Sequence, residues 1–324
     1  MLERTQVLVL GLGGTISMRD ASGAGAQPSL YLAEVLDGLP GELNVDLEDL
    51  KLVPGAALVF RDVLQVADRI RRAGAEGYVG AVVVQGTDTL EEVAYALHLL
   101  VDEPMTVVVT GAMRHGSSLG ADGAANIAAA VATAASSECA GLGALVVLAD
   151  EIHAARLVSK TSTALPHAFA SWPGSLGQVS EGRVRLALRP SVRPTTLEVS
   201  ADAEIPRVEM VTARLGAGPD QLVALVADPP RGVVVAGFGG GHVPPSWVEP
   251  LTELARACPV VLSSRTGSGA LLRETYGFPG SERDLLGRGL IWAGTHTAVK
   301  AVVALTLLLA AGSDRPAIGE HFAS

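Results

Sequence analysis

Short apolar runs bounded by Gly, Asp or Thr recur along the 324-residue chain, and the segments between them carry apolar residues at helical spacing. The runs over 5–11, 81–85, 106–110, 142–149, 232–238, 259–263 and 289–293 predict strands. After Asp88, residues Leu90, Val93, Ala94, Leu97, Leu100 and Val101 repeat at the period of one helix face, and Thr89 with Glu92 has the spacing of a capping box. Further helices are predicted over 61–72, 123–136, 246–257 and 298–309. Strands that feed helices through short turns imply a mostly parallel sheet covered on both faces. From about Ser191 to Asp220 the pattern gives way to Pro, Thr, Arg and acidic residues, and a second β/α series then begins. The expectation is an α/β chain with a larger, doubly wound N-terminal domain over 1–195, a linker over 196–220 and a smaller α/β domain over 221–324.

Composition narrows the class. With 48% hydrophobic residues the chain can build large cores. The apolar stretch from Ala301 to Ala311 is too short to cross a hydrocarbon layer of ~30 Å and reads as a buried helix. The start, Met1-Leu2-Glu3-Arg4, runs into the strand pattern Val7-Leu8-Val9-Leu10 without a basic segment ahead of it, which predicts a cytoplasmic protein. Two cysteines, Cys139 and Cys258, rule out a disulfide framework and a four-thiolate zinc site. A net charge of −10 repels polyanions and argues against nucleic-acid or acidic-membrane partners. Of 24 basic side chains only Lys51, Lys160 and Lys300 are lysines, so a lysine in a motif points to chemistry that arginine cannot do, the loss of a proton.

Two threonine motifs stand where buried strands give way to turns. They are Gly13-Gly14-Thr15 and Gly86-Thr87-Asp88-Thr89. Gly11-Leu12-Gly13-Gly14-Thr15-Ile16 starts like a dinucleotide fingerprint, but Ile16 stands where the last glycine belongs and no helix start follows. The glycines instead let backbone amides approach a substrate while Thr15 presents its hydroxyl. A strand-end threonine often does no more than bond the backbone. Asp88 has an ordinary explanation as a helix N-cap. Thr89 already offers that cap, which leaves Thr87 and Asp88 to point out of the sheet edge. Lys160 would by default be a solvated lysine, but one packed against hydroxyls in a partly dry site can act as a base toward a threonine.

These residues resemble the bacterial-type L-asparaginase/glutaminase family. Leu8-Val9-Leu10-Gly11-Leu12-Gly13-Gly14-Thr15-Ile16 is similar to its first signature, and Val83-Val84-Gln85-Gly86-Thr87-Asp88-Thr89-Leu90-Glu91-Glu92 to its second. Thr110 to Arg114, Ala121-Asp122-Gly123, Asn126, Val158 to Thr161, Ala236 to Gly239 and Ser263-Ser264-Arg265 continue the match in order. The resemblance implies an asparagine-degrading amidohydrolase with Thr15 as nucleophile, giving an acyl-enzyme and ammonia. Lys160 would polarise Thr87, Asp88 would receive the substrate's α-ammonium, and backbone N–H groups near Thr15, Thr87 and Ala112 would stabilise the oxyanion; Gly14 would line the substrate. No metal or organic cofactor is implied. The resemblance also implies a small amide substrate as partner and active sites completed across a homodimer, alone or inside a homotetramer. The segment from Met18 to Gln27 would be a lid, with Tyr31 the nearest candidate for a lid tyrosine.

The chain departs from the family at the amino-acid clamp. Where relatives carry Ser and often Gln for the α-carboxylate, it reads Gly55-Ala56-Ala57, with no side-chain donor. His242 stands where a small polar amide is common, and Tyr276 where some members have Glu. Two other readings therefore stand beside L-asparagine hydrolysis. One is the same mechanism on L-glutamine, D-asparagine or a modified or peptide-linked asparagine of a biosynthetic pathway; the other is a non-catalytic amino-acid-binding homologue.

Overall fold

The structure is a computed structural model that describes residues 6–19, 25–36, 45–102, 104–190 and 196–323. It divides into two compact units, Met1–Thr196 and Leu197–Ser324. In chain order the first unit carries β1 (Val7–Gly13), β2 (Met18–Arg19), β3 (Gln27–Pro28), α1 (Leu32–Leu36), β4 (Val45–Val53), α2 (Phe60–Glu76), β5 (Gly80–Val84), α3 (Leu90–Leu100), β6 (Thr106–Thr110) and α4 (Gly123–Ala134). It continues through β7 (Ala144–Leu148), β8 (Glu151–Ala154), β9 (Val158–Lys160), β10 (Phe169–Ser171), β11 (Gly177–Ser180) and β12 (Arg183–Leu186). Eight of these strands form one sheet in the order β12-β11-β8-β7-β6-β5-β1-β4.

The core of this sheet is parallel, from β4 through β1, β5 and β6 to β7, and β8, β11 and β12 extend it antiparallel. The apolar runs explain the placement: β1 and β5 are buried at every position, as central parallel strands with both faces covered must be. Val7, Val9, Val82, Val84, Val108 and Ile127 join one core cluster, while Leu8, Leu10, Val83 and Val109 are equally buried on the alternate face. Helix α2 buries Val63, Val66, Ala67 and Ile70 at helical spacing and ends at Gly77, whose φ of 90° is the left-handed C-cap conformation that glycine tolerates. The expected strands are present with ends shifted by one or two residues. The edge strand β4, the antiparallel extension and the β9–β10 pair are additions to the expected set.

In the second unit β13 (Val208–Thr212), β14 (Gly232–Gly237), β15 (Val260–Ser264) and β16 (Ile291–Trp292) form a four-stranded parallel sheet in that order. The helices are α5 (Asp220–Ala227), α6 (Val248–Ala257), α7 (Glu282–Gly287), α8 (Ala298–Ala310) and α9 (Arg315–Ala323). The segment expected as a linker carries β13, whose Met210 and Glu209 kept it from reading as a buried run. Residues 191–195, where the expected boundary begins, lie outside the described residues.

Topology fixes where chemistry belongs. The chain leaves β1 toward β4 on one side and leaves β5 toward β6 on the other, so the C-terminal ends of β1 and β5 flank a topological switch point. Thr15 follows β1 and Thr87 follows β5.

Candidate active site

Three glycines from three strand ends make the floor of the site. A Cβ on Gly86 would lie 2.6 Å from the backbone nitrogen of Gly55, one on Gly55 3.0 Å from the Gly86 carbonyl, and one on Gly14 would overlap the Gly86 backbone. Gly14 also has φ 88° and ψ −170°, a conformation essentially closed to other residues. Its N–H donates to the Val53 carbonyl at 2.9 Å. The turns after β1, β4 and β5 thus touch backbone to backbone, which brings the segments bearing Thr15 and Thr87 side by side. Thr15, half-buried, opens a single 3-10 turn, Thr15–Ser17.

Thr89 corrects an expectation. It is the N-cap residue of α3, but its side chain makes no cap bond and the capping box with Glu92 is absent. Its hydroxyl donates to the Gly55 carbonyl at 3.0 Å instead, latching the turn after β4 to the start of α3. The side chain serves tertiary structure because Gly55 lies within reach of the helix start.

Thr87 is buried and Asp88 exposed, and Lys160 of β9 reaches both. Its Nζ donates to Thr87 Oγ1 at 3.0 Å and to Asp88 Oδ1 at 2.9 Å. Ala112, fully buried, lies on a loop fixed by the side chains of Asp122, the cap residue of α4, and Asn126 of α4. Asp122 accepts the N–H groups of Met113 and Arg114 at 3.0 and 2.9 Å. Asn126 donates to the Gly111 carbonyl at 2.9 Å and to Asp122 at 3.1 Å, and accepts the Ala149 N–H at 3.0 Å. A Cβ on Gly111 would sit 3.3 Å from Thr87 Cγ2, so this loop packs directly on Thr87.

The other expected residues are placed as follows. Ala56 and Ala57, in the 3-10 turn Gly55–Ala57, are exposed and carry methyl groups only. Their turn keeps two bonds of its own, Ala57 N–H to Pro54 and Leu58 N–H to Gly55. The stem of the expected lid is the β2–β3 ribbon, pairing Met18 with Pro28 and Arg19 with Gln27, and residues 20–24 lie outside the described residues. Tyr31 stands exposed ahead of α1, its N–H donating to Glu34 at 3.0 Å. Among the described residues no group of three or more His, Cys, Asp or Glu side chains is arranged to hold a metal ion.

His242 and Tyr276 belong to the second unit and meet there, ring centroids 4.9 Å apart and edge to face; Phe278 stands 5.0 Å from the imidazole and 6.0 Å from the Tyr276 ring, so the three rings form one cluster. Sequence reasoning missed what joins them, the fully buried Glu282. Its carboxylate accepts the N–H groups of Thr275 and Tyr276 at 2.8 and 2.7 Å and pairs with His242 Nε2 at 3.1 Å. Burial pushes the Glu282 carboxyl up, but the Tyr276, Thr275 and His242 donors outweigh it and hold it below the ordinary range. No sequence signal marks Glu282, since its partners lie in a loop of no recognisable pattern.

Comparison with known proteins adds independent findings. Residues 6–192 match the family described as "Asparaginase, N-terminal", and residues 207–322 the "Glutaminase/Asparaginase C-terminal domain". The chain is 34% identical over 323 residues to a probable L-asparaginase of Deinococcus radiodurans, covering 98% of this chain and 97% of that one. It is 32% identical to a probable periplasmic L-asparaginase of Haemophilus influenzae, over 98% of this chain and 92% of the relative. The crystal structure of a probable cytoplasmic L-asparaginase from Campylobacter jejuni superimposes with a TM-score of 0.86 at 29% identity, covering 99% of each chain.

Proposed function

The chain belongs to the glutaminase/asparaginase family, and from that premise we propose that it hydrolyses the side-chain amide of L-asparagine to L-aspartate and ammonia with Thr15 as nucleophile. The observation that carries this reading is the Lys160–Thr87–Asp88 group, packed at the switch point beside the turn that bears Thr15.

Thr15 Oγ attacks the amide carbon, and its proton passes to the leaving nitrogen. The carbon–oxygen bond forms, the carbon–nitrogen bond breaks, ammonia departs, and an ester joins the acyl group to Thr15. Water then adds to the ester carbonyl, aspartate leaves, and Thr15 recovers its proton. A threonine hydroxyl is too weak an acid to attack unaided. The nitrogen of Lys160 on Thr87 Oγ1 makes the second threonine the relay for these protons. The exposed carboxylate of Asp88 supplies an anionic seat for the α-ammonium. Backbone N–H groups near Thr15, Thr87 and Ala112 stabilise the oxyanion, each donor contributing ~3 kcal/mol. The rigid 111–114 loop and the glycine floor hold those donors in place before substrate arrives.

Location in the cytoplasm and assembly into a homodimer or homotetramer with shared sites belong to the same proposal. They rest on the family resemblance and on the cytoplasmic Campylobacter relative, against the periplasmic one from Haemophilus. The test is ammonia release from L-asparagine, D-asparagine and L-glutamine by the natural chain and by Thr15→Ala, with thermal unfolding of both. Loss of turnover by a factor on the order of 10³ or more at unchanged Tm supports Thr15 as nucleophile. Substantial residual activity sinks it.

A further inference from the structure

Lys160 is not held by the sheet that aligns the two threonines. It ends β9, and β9 pairs only with β10, as a separate two-stranded ribbon in which Lys160 stands opposite Phe169. The ribbon is closed at its turn by Thr161 N–H on the Ala168 carbonyl at 2.7 Å. That bond orders the ribbon internally and does nothing to place it against Thr87. Side-chain groups from outside the ribbon meet it at both ends. At the β10 end, His153 of β8 meets Ser171 at 2.9 Å. At the β9 end, the main-chain N–H of Lys160 itself donates to Glu91 Oε1 of α3 at 3.2 Å.

Glu91 lies in the first turn of α3, three residues after Asp88. One helix start therefore grips the lysine at both ends, Asp88 at Nζ and Glu91 at the backbone. The stem of a lysine is flexible, so Nζ finds Thr87 Oγ1 reliably only when the Cα from which it departs is fixed. A hydrogen bond to a carboxylate is a strong way to fix it.

On the reading that Lys160 serves catalysis, we propose that Glu91 is a positioning residue for the reaction: its carboxylate anchors the lysine's main chain and so sets the reach of Nζ to Thr87. A glutamate in the first turn of a helix also has an ordinary role, favouring the helix dipole by its charge. The two roles order the variants oppositely. Glu91→Gln loses the charge and keeps an acceptor oxygen at the same reach; Glu91→Asp keeps the charge and withdraws the acceptor by one methylene.

The experiment measures kcat and KM for L-asparagine with the full-length natural chain, Glu91→Gln, Glu91→Asp and Lys160→Met, with Tm for each. Both Glu91 variants keep a polar side chain at a partly exposed position, so the fold is retained. We expect Glu91→Asp to lower kcat by about ten- to a hundredfold, the scale of a small misplacement in an active site, at nearly unchanged KM and Tm. Glu91→Gln stays close to the natural enzyme. The reverse order, equal losses in both, or no loss in either overturns the positioning role. Lys160→Met separates the two levels: if it retains turnover the catalytic role of Lys160 fails, whereas an inactive Lys160→Met beside a fully active Glu91→Asp fails Glu91 alone.

Discussion

Gly86 and Gly55 pack so closely that a Cβ on Gly86 would lie 2.6 Å from the backbone nitrogen of Gly55. The obstruction is main chain, with no flexible side chain to yield. Gly86→Ala should therefore push apart the turns after β4 and β5, destabilise the first unit by ~1–3 kcal/mol and lower kcat together with it. Gly319→Ala is the opposite-sign control, since nothing lies within 4 Å of its Cβ position inside α9 and alanine is the better helix former. Urea titrations of both variants check the pair; equal stability of Gly86→Ala and the natural chain would show that the strand ends can yield.

Lys160 tests whether charge or a mobile proton is needed. Arginine keeps a donor and a positive charge but does not give up its proton near neutral pH, and its planar fork does not match two acceptors at 3.0 and 2.9 Å from one nitrogen. Lys160→Arg should lose nearly as much kcat as Lys160→Met. An arginine variant with most of its activity would make Lys160 an electrostatic residue, and the proton relay would have to lie elsewhere.

Much of this site was legible in the chain because its central strands are buried on both faces. Val7 to Leu10 and Ala81 to Val84 leave little but an interior strand to form, and the threonines follow at their ends. The edge strand β4 was not legible. It reads Val-Asp-Leu-Glu-Asp-Leu-Lys-Leu-Val, and what satisfies its charges is remote in sequence: Arg69 of α2 meets Glu48 at 2.7 Å, and Asp62 pairs with Lys51. Thr89 shows the limit of local rules, since spacing alone does not reveal that Gly55 competes for its hydroxyl. The same holds for Glu91 and Glu282, whose roles are defined by backbone N–H groups that no residue type announces.

Glu282 makes stability of the second unit depend on pH in a definite direction. Its folded-state pKa lies below the ordinary glutamate value of 4.5, so its contribution is fully present above that value and is lost as pH falls through the folded pKa. Glu282→Gln should destabilise by ~2 kcal/mol or more near neutral pH, because a buried carboxylate that accepts two backbone N–H groups and pairs with His242 is replaced by a weaker acceptor. The gap between variant and natural chain should shrink at about pH 3.5. Urea unfolding at both pH values decides it; a gap that widens in acid would mean that Glu282 is already protonated in the folded protein.

The turn Gly55–Ala57 governs specificity if, as the family resemblance implies, it faces the substrate's α-carboxylate. It offers exposed methyl groups at Ala56 and Ala57 and no side-chain donor. Loss of a hydrogen bond to a charged group costs ~1.5–3 kcal/mol, about tenfold or more in binding. Free L-asparagine should therefore show a high KM with kcat less affected, the pattern of lost uniform binding. Asparagine amide, whose carboxylate is masked, should be discriminated against less than by a relative with the full clamp. Ala56→Ser adds a hydroxyl at an exposed position and should lower KM for L-asparagine. Gly55→Ser should fail to do so, because its Cβ would lie 3.0 Å from the Gly86 carbonyl and wedge open the floor on which Thr87 stands. Steady-state kinetics on the three proteins with both substrates separate these outcomes. If the natural chain already has a KM of about 1 μM for L-asparagine, at the tight end of the usual enzyme range, backbone amides or other side chains hold the carboxylate and the turn is not the determinant.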